Sequence, residues 1–265
     1  MQMKRRVALN GAWLDEVDSR IVVSSVEPAD GRENISAVDA AAGYGQRITG
    51  RRRSTLDMVV KFRILEHGHS ESGQQARAEV LEKVNAWAAA GGALTVNYKP
   101  DRRLNVILAQ APGEGSLWDY TKEFQIVFRA YTIPYWESAS AVNTSFYAAA
   151  GSGNKSLVVE GSAETQCDVM VANNSGSTMN SCTISIGGKS MTFSALGLAS
   201  GETLVVDHSD GLIRIRIQGS GGTFRSAMAK RTGANDFMVA PGTITCSYTV
   251  ANNCRITVGW RTRYL

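Results

Sequence analysis

Apolar and polar residues alternate with a period of two along much of the chain, the pattern of a strand with one buried face. From Thr55 to Leu65, Leu56, Met58, Val60, Phe62 and Ile64 share one face, and Asp57, Lys61 and Arg63 share the other. From Glu123 to Ala130, Phe124, Ile126 and Phe128 stand opposite Gln125 and Arg129. From Leu212 to Gln218, Ile213, Ile215 and Ile217 alternate with Arg214, Arg216 and Gln218. Alternation of this kind predicts antiparallel sheets with one wet face. One segment departs from it. Between Gly73 and about Ala90, Val80, Leu81, Val84, Trp87 and Ala88 recur at helical spacing, which predicts a helix packed on a sheet. Ser72 and Gln75 fit a capping box, and Gly91-Gly92 supplies the stop, since glycine accepts the left-handed conformation that helix ends need.

The pattern breaks between Pro134 and Ser145. Tyr131, Tyr135 and Trp136 end a strand, and Ser138-Ala139-Ser140-Ala141 reads as a linker. Short strands follow at about 155–161, 166–173, 181–187, 189–195, 203–208, 211–218, 243–250 and 255–262, with turn signals at Asn173-Asn174-Ser175-Gly176 and Gly219-Ser220-Gly221-Gly222. Strands without intervening helices predict a sandwich. The fold class is therefore mostly β, a β-rich α+β chain. A β unit with one helix occupies residues 1–137 and a β-sandwich occupies 138–265. Charge supports the division. Residues 1–136 hold 18 Lys+Arg and 16 Asp+Glu and residues 137–265 hold 10 and 8, so both parts are +2 but the second has about half the charges. The total of +4 is too weak for a nucleic-acid binder.

Lys4, Arg5 and Arg6 precede an apolar run, Val7-Ala8-Leu9, that stops at Asn10, too short for a secretory signal. No stretch is long enough to span a bilayer. The expectation is a chain made in the cytoplasm with no membrane insertion. Cys167, Cys182, Cys246 and Cys254 have no C-x-x-C spacing, which speaks against a zinc ribbon or redox motif and for thiols packed as small apolar groups.

Catalytic and ligand-binding signatures fail in turn. Gly188-Lys189-Ser190 resembles the end of a phosphate-binding loop, but Thr183 stands where its first glycine belongs, in a context that reads as a β-hairpin. Gly43-Tyr44-Gly45 could open a dinucleotide fingerprint, but residue 48 is Ile and a strand follows. No G-x-S-x-G elbow is present. His67 and His69 could offer two metal ligands, yet they sit in a polar loop before the helix. No catalytic, cofactor or metal residue is assigned, and the chain reads as a non-enzyme.

The strongest local charge feature is Arg47, Arg51, Arg52 and Arg53, with Gly43, Gly45 and Gly50 around them suggesting a flexible or extended loop. A solvated loop is one reading. A subunit contact is the sharper one, because guanidinium groups pair well with a neighbour's carboxylates. Nucleic-acid binding ranks third, since only Tyr44 is interleaved as an aromatic.

The order of these pieces resembles the distal tail (Dit) family of long, flexible-tailed bacteriophages. In the first part, the loop 43–53 leads into the strand 55–65 and the helix 73–90. Leu94-Thr95-Val96-Asn97-Tyr98, Arg102 to Leu108, Phe124-Gln125-Ile126-Val127-Phe128 and Pro134-Tyr135-Trp136 follow. In the second, Leu157-Val158-Val159-Glu160-Gly161 resembles the opening strand and Gly201 to Asp207 a hairpin. Phe237 to Gly242 resembles a Pro-Gly turn and Ile256 to Leu265 the aromatic-basic end. The resemblance implies a tail-tube-like first domain that builds a homo-hexameric ring, and a galectin-like second domain that faces outward. It implies as partners the tail tube protein, the tail-associated hub protein and a receptor-binding protein or fibre. DNA would pass the channel transiently, without sequence-specific contacts. The place implied is the virion tail tip, and the second domain lacks a large insertion.

Two other classes stay open. A carbohydrate-binding module could stack sugar on Trp118, Trp136 and Trp260, unless these rings are core or interface anchors. A glycan-cleaving enzyme needs only two carboxylates close in the fold, and these need not be neighbours in sequence.

Overall fold

The computed structural model describes residues 5–39, 46–65, 71–113, 123–208, 212–219 and 221–265, with the backbone alone described at 29–34, 39 and 46–54. The chain is mostly β and divides into two compact units, Met1–Trp136 and Glu137–Leu265.

The first unit contains β1 (Val7–Leu9), β2 (Ala12–Trp13), a one-turn helix α1 (Leu14–Val17), β3 (Ile21–Asp39), β4 (Gln46–Ile64), α2 (Glu71–Ala89), β5 (Gly92–Val96), β6 (Lys99–Gln110) and β7 (Phe124–Ala130). The strands run in the order β2-β1-β5-β6-β7-β4-β3, with antiparallel pairings. The alternation in β4 is a burial pattern: Leu56, Met58, Val60, Phe62 and Ile64 are all buried. Met58 stands opposite Phe128, Val60 opposite Ile126 and Phe62 opposite Phe124 on β7, and the last pair stacks at 5.5 Å. Helix α2 turns Val80, Leu81, Val84 and Ala88 inward, and Trp87 meets Phe128 edge-on at 5.8 Å.

The helix stop works as expected. Gly91 and Gly92 take φ of 57° and 114°. Asn10 then locks the turn: its amide donates to the Gly91 carbonyl at 2.7 Å and accepts from the Ala93 N–H at 2.9 Å. A Cβ on Gly92 would collide with that amide. The start differs from expectation. The helix already includes Glu71, so Ser72 lies inside its first turn rather than capping it; the S-x-x-Q spacing is also met one residue into a helix, and sequence cues fix a terminus only to within a residue or two.

The division between units falls within β8 (Trp136–Ser138). The second unit then has β9 (Val142–Ala148), β10 (Gly151–Val159), β11 (Thr165–Asn173), β12 (Cys182–Ile186), β13 (Lys189–Phe193), β14 (Thr203–Asp207), β15 (Arg214–Gln218) and β16 (Phe224–Ser226). A short 3₁₀ turn at Met228–Lys230 precedes β17 (Arg231–Gly233), β18 (Met238–Val239), β19 (Gly242–Val250), β20 (Cys254–Trp260) and β21 (Arg263–Tyr264). One sheet is ordered β10-β19-β12-β13-β17 and the other β16-β15-β14-β11-β20-β9. Val169, Val171, Ile184, Phe193, Leu204, Ile217 and Ile256 share one core. The linker is shorter than sequence suggested, because Val142–Ala148 is strand β9. An edge strand buries little, so its alternation is faint.

Three details hold this unit together. Gly187 and Gly188, at φ of 57° and 83°, turn β12 directly into β13; this places Gly188-Lys189-Ser190 in a hairpin, where primed turns favour such residues. The fully buried Asn173 donates to the carbonyls of Ser177 and Leu198 at 2.9 and 2.8 Å, satisfying its amide as burial demands. The C-terminal Arg263 reaches back to Glu137 at 3.4 Å, both buried, and the Ser138 N–H donates to the Thr262 carbonyl at 2.8 Å. The strand β20 lies between β11 and β9, and the last strand, β21, pairs with β8. All four cysteines are free and buried. Burial pushes the thiols of Cys167 and Cys182 up to about 12 and those of Cys246 and Cys254 up to about 11, so they stay protonated and inert.

Candidate subunit interface

The arginine cluster lies on the longest hairpin of the chain. Strands β3 and β4 pair from Ile21↔Ile64 out to Asp39↔Gln46. On its other side β4 pairs with β7, but only from Leu56 to Phe62. Beyond Thr55 the hairpin is thus a two-stranded ribbon among the described residues. Nine residues of strand reach about 30 Å. An isolated two-stranded ribbon is marginal in water, so a ribbon of this length calls for something to rest on.

Arg47, Arg51, Arg52 and Arg53 all belong to this ribbon, opposite Val38, Ile35, Asn34 and Glu33. The loop reading of 46–53 is therefore corrected: these residues are strand, while 43–45 lie outside the described residues. The reason is physical. Ile35, Ser36, Ala37 and Val38 of β3 are all exposed, so no dry side imposes alternation there, and three consecutive arginines mask the partner strand. On β3, Ile35 and Val38 are 55% and 52% exposed. Apolar groups are thus held out beside backbone that bears four guanidinium-carrying residues, the mixture of anchor and charged rim that interfaces use.

The ribbon has a firm base. Asp57 and Arg129 stand opposite each other on β4 and β7 and form a two-pronged ion pair at 2.6 Å. Asp18, at the entry to β3, is 8% exposed and accepts from Arg20 Nε and Nη2 at 2.9 Å and from Lys83 Nζ on α2 at 3.0 Å. The Arg20 fork holds the Asp18 carboxyl well below the usual range, with Lys83 adding to it against the cost of desolvation. Sequence reading missed this helix-to-hairpin tie, whose partners are 65 residues apart.

The other candidate residues do not converge. His67, His69 and Trp118 lie outside the described residues. Trp136 and Trp260 are buried, Trp136 beneath Lys99, whose Nζ is 5.1 Å from the ring centroid. They are packing anchors, so the sugar-stacking use of these two rings is overturned. Near the hairpin, Arg5, Val26, Glu27, Asn97 and Tyr98 line a cavity of about 480 Å³.

The chain shares its fold with a phage distal tail (Dit) protein of known structure. The particular likeness is to the Dit protein (gp 19.1) of phage SPP1, described as a paradigm of hub adsorption apparatus in Gram-positive infecting phages. That structure superposes with a TM-score of 0.70 over 99% of this chain and 100% of its own, at 14% identity. The baseplate of phage P2 in its calcium-activated conformation is similar at a TM-score of 0.47 and 9% identity, over 98% of each chain, too distant to add to the argument. By sequence, the chain matches no family model and no curated protein.

Proposed function

We propose that this chain is a non-enzymatic structural protein of a phage tail tip, assembled in the host bacterial cytoplasm. Six copies form a closed ring at the far end of the tail tube. The first unit, residues 1–137, is the ring-forming, tail-tube-like domain. The second, 138–265, is a galectin-like sandwich that carries receptor-binding proteins or fibres. The ring joins the tube protein to the tail-associated hub protein and leaves a channel through which DNA passes without sequence-specific binding.

The observation that carries this reading is the full-length likeness to SPP1 Dit. The ribbon supports it: a closed ring needs a head-to-tail contact in which one surface meets a different surface of the next copy, and a projecting ribbon ending on a neighbour's sheet supplies one. Arg47, Arg51, Arg52 and Arg53 are the residues we assign to that contact.

Size-exclusion chromatography with light scattering tests it. The full chain is expected to show the mass of six copies as concentration rises, and Arg51→Ala/Arg52→Ala/Arg53→Ala to shift it to monomer with unchanged circular dichroism. Normal assembly by the triple variant sinks the assignment of the arginines.

A further inference from the structure

Among the described residues, the main strand paths of the second unit's two sheets end on four strands, and these are not alike. In one sheet the outer strands are β10 and β17, in the other β16 and β9. β16 and β17 are three residues long, and each carries an arginine, Arg225 bound to Glu202 at 2.5 Å and Arg231. Short, charged edges are how soluble β proteins discourage further pairing. β10 has nine residues and one charge, Lys155. β9 has seven residues, VNTSFYA, with no charge and no proline. Its register with β20 runs unbroken from Val142↔Trp260 to Ala148↔Cys254, with no bulge. Among the described residues β9 pairs with β20 alone, and its outward backbone groups have no strand beside them.

The side chains around this edge define what would fit. On the inner face Phe146 is half-buried and leans on Tyr248 of the opposite sheet at 5.8 Å, closing the sandwich incompletely. On the outer face Tyr147 is 63% exposed. Beside it, in register on β20, Arg255 is exposed and its guanidinium has no ion pair or hydrogen bond among the described residues. An added strand would meet an apolar inner rim and an outer rim with an unanswered positive charge.

We propose that β9 is the acceptor edge for an extended segment of another tail polypeptide, about seven residues long. The segment has apolar residues facing Phe146 and a carboxylate on its outer face near Arg255. This rests on the tail-tip reading above. A second copy of the chain fits poorly. Continuing the sheet around a ring would set β9 against β16, which offers three residues and an arginine already paired. Pairing two β9 edges about a two-fold axis would put two copies of Arg255 on one face with no acid between them.

The test uses hydrogen exchange on the full chain, free and in assembled tail particles. Amides of residues 142–148 are expected to exchange at least about tenfold more slowly in the tails. Tyr147→Lys, which crowds Arg255 with a like charge at an exposed position, is expected to abolish that protection with the melting midpoint unchanged. A photoreactive phenylalanine at Tyr147 is expected to cross-link to a different tail polypeptide. Equal exchange in both states overturns the proposal, and so does a cross-link to a second copy of the chain. Absence of the chain from the tails overturns the tail-tip reading instead.

Discussion

The two halves of β4 lie on one strand and do opposite things. From Leu56 to Phe62 the strand is flanked by β3 and β7, and every second side chain is buried. From Gln46 to Thr55 it has β3 alone among the described residues. The inner half is held by the hydrophobic effect acting on its own unit. The outer half has backbone pairing on one side only among the described residues, and an isolated two-stranded ribbon has little intrinsic stability. In the proposed ring, the stabilisation of this ten-residue extension would come from the neighbouring copy. The same contrast recurs in the second unit, where short charged edges sit opposite a long uncharged one.

Substitutions in the two halves sharpen this difference. The largest effect is expected from Phe62→Ala, which removes a fully buried ring stacked on Phe124. It should cost about 3–5 kcal/mol in urea denaturation. Breaking the buried Arg263–Glu137 pair with Arg263→Ala should cost a similar amount, about 3–5 kcal/mol, in the second unit.

A smaller effect is tied to pH at the base of the hairpin. The fold lowers the Asp18 carboxyl below its unfolded value, because Arg20 and then Lys83 favour the charged form. The stability this supplies is complete above the unfolded carboxylate value of about 4 and is lost as pH falls below it. Thermal melts from pH 7 to pH 2 should therefore show a drop beginning near pH 4. Asp18→Asn should weaken the protein by about 1–2 kcal/mol at neutral pH and flatten that drop.

The smallest effect on stability is expected in the outer half. Ile35→Ser with Val38→Ser should change monomer stability by no more than about 0.5 kcal/mol and yet lower the assembled mass in light scattering. A loss of several kcal/mol there would mean that the ribbon is packed within its own chain, and the contrast between the two halves would fail.

How much of this was legible in the sequence follows the same division. The inner strands and α2 were readable because one face of each is dry, and a dry face writes its period into the residues. β3 was not readable, although it is as long as β4. Pro28 and Gly31 look like turn signals, but in an edge strand a proline's missing N–H costs nothing on the open side. Register shifts at Val23/Ser25 and Ala29/Arg32 also break any period. The arginine cluster was visible as charge, but not as strand. The Asp18–Lys83 and Glu137–Arg263 ties were beyond sequence reading, since each joins residues that only the fold brings together. Trp136 and Trp260 show the reverse: exposed aromatics for sugar and buried anchors look the same in a sequence.

Single-particle electron microscopy of the full chain, concentrated until light scattering reports a constant mass, tests the central claim most directly. A six-fold ring with an open centre, in which the β3–β4 ribbon of each copy lies on the next, is the predicted result. A monomer at every concentration, or a closed two-fold dimer, would contradict it.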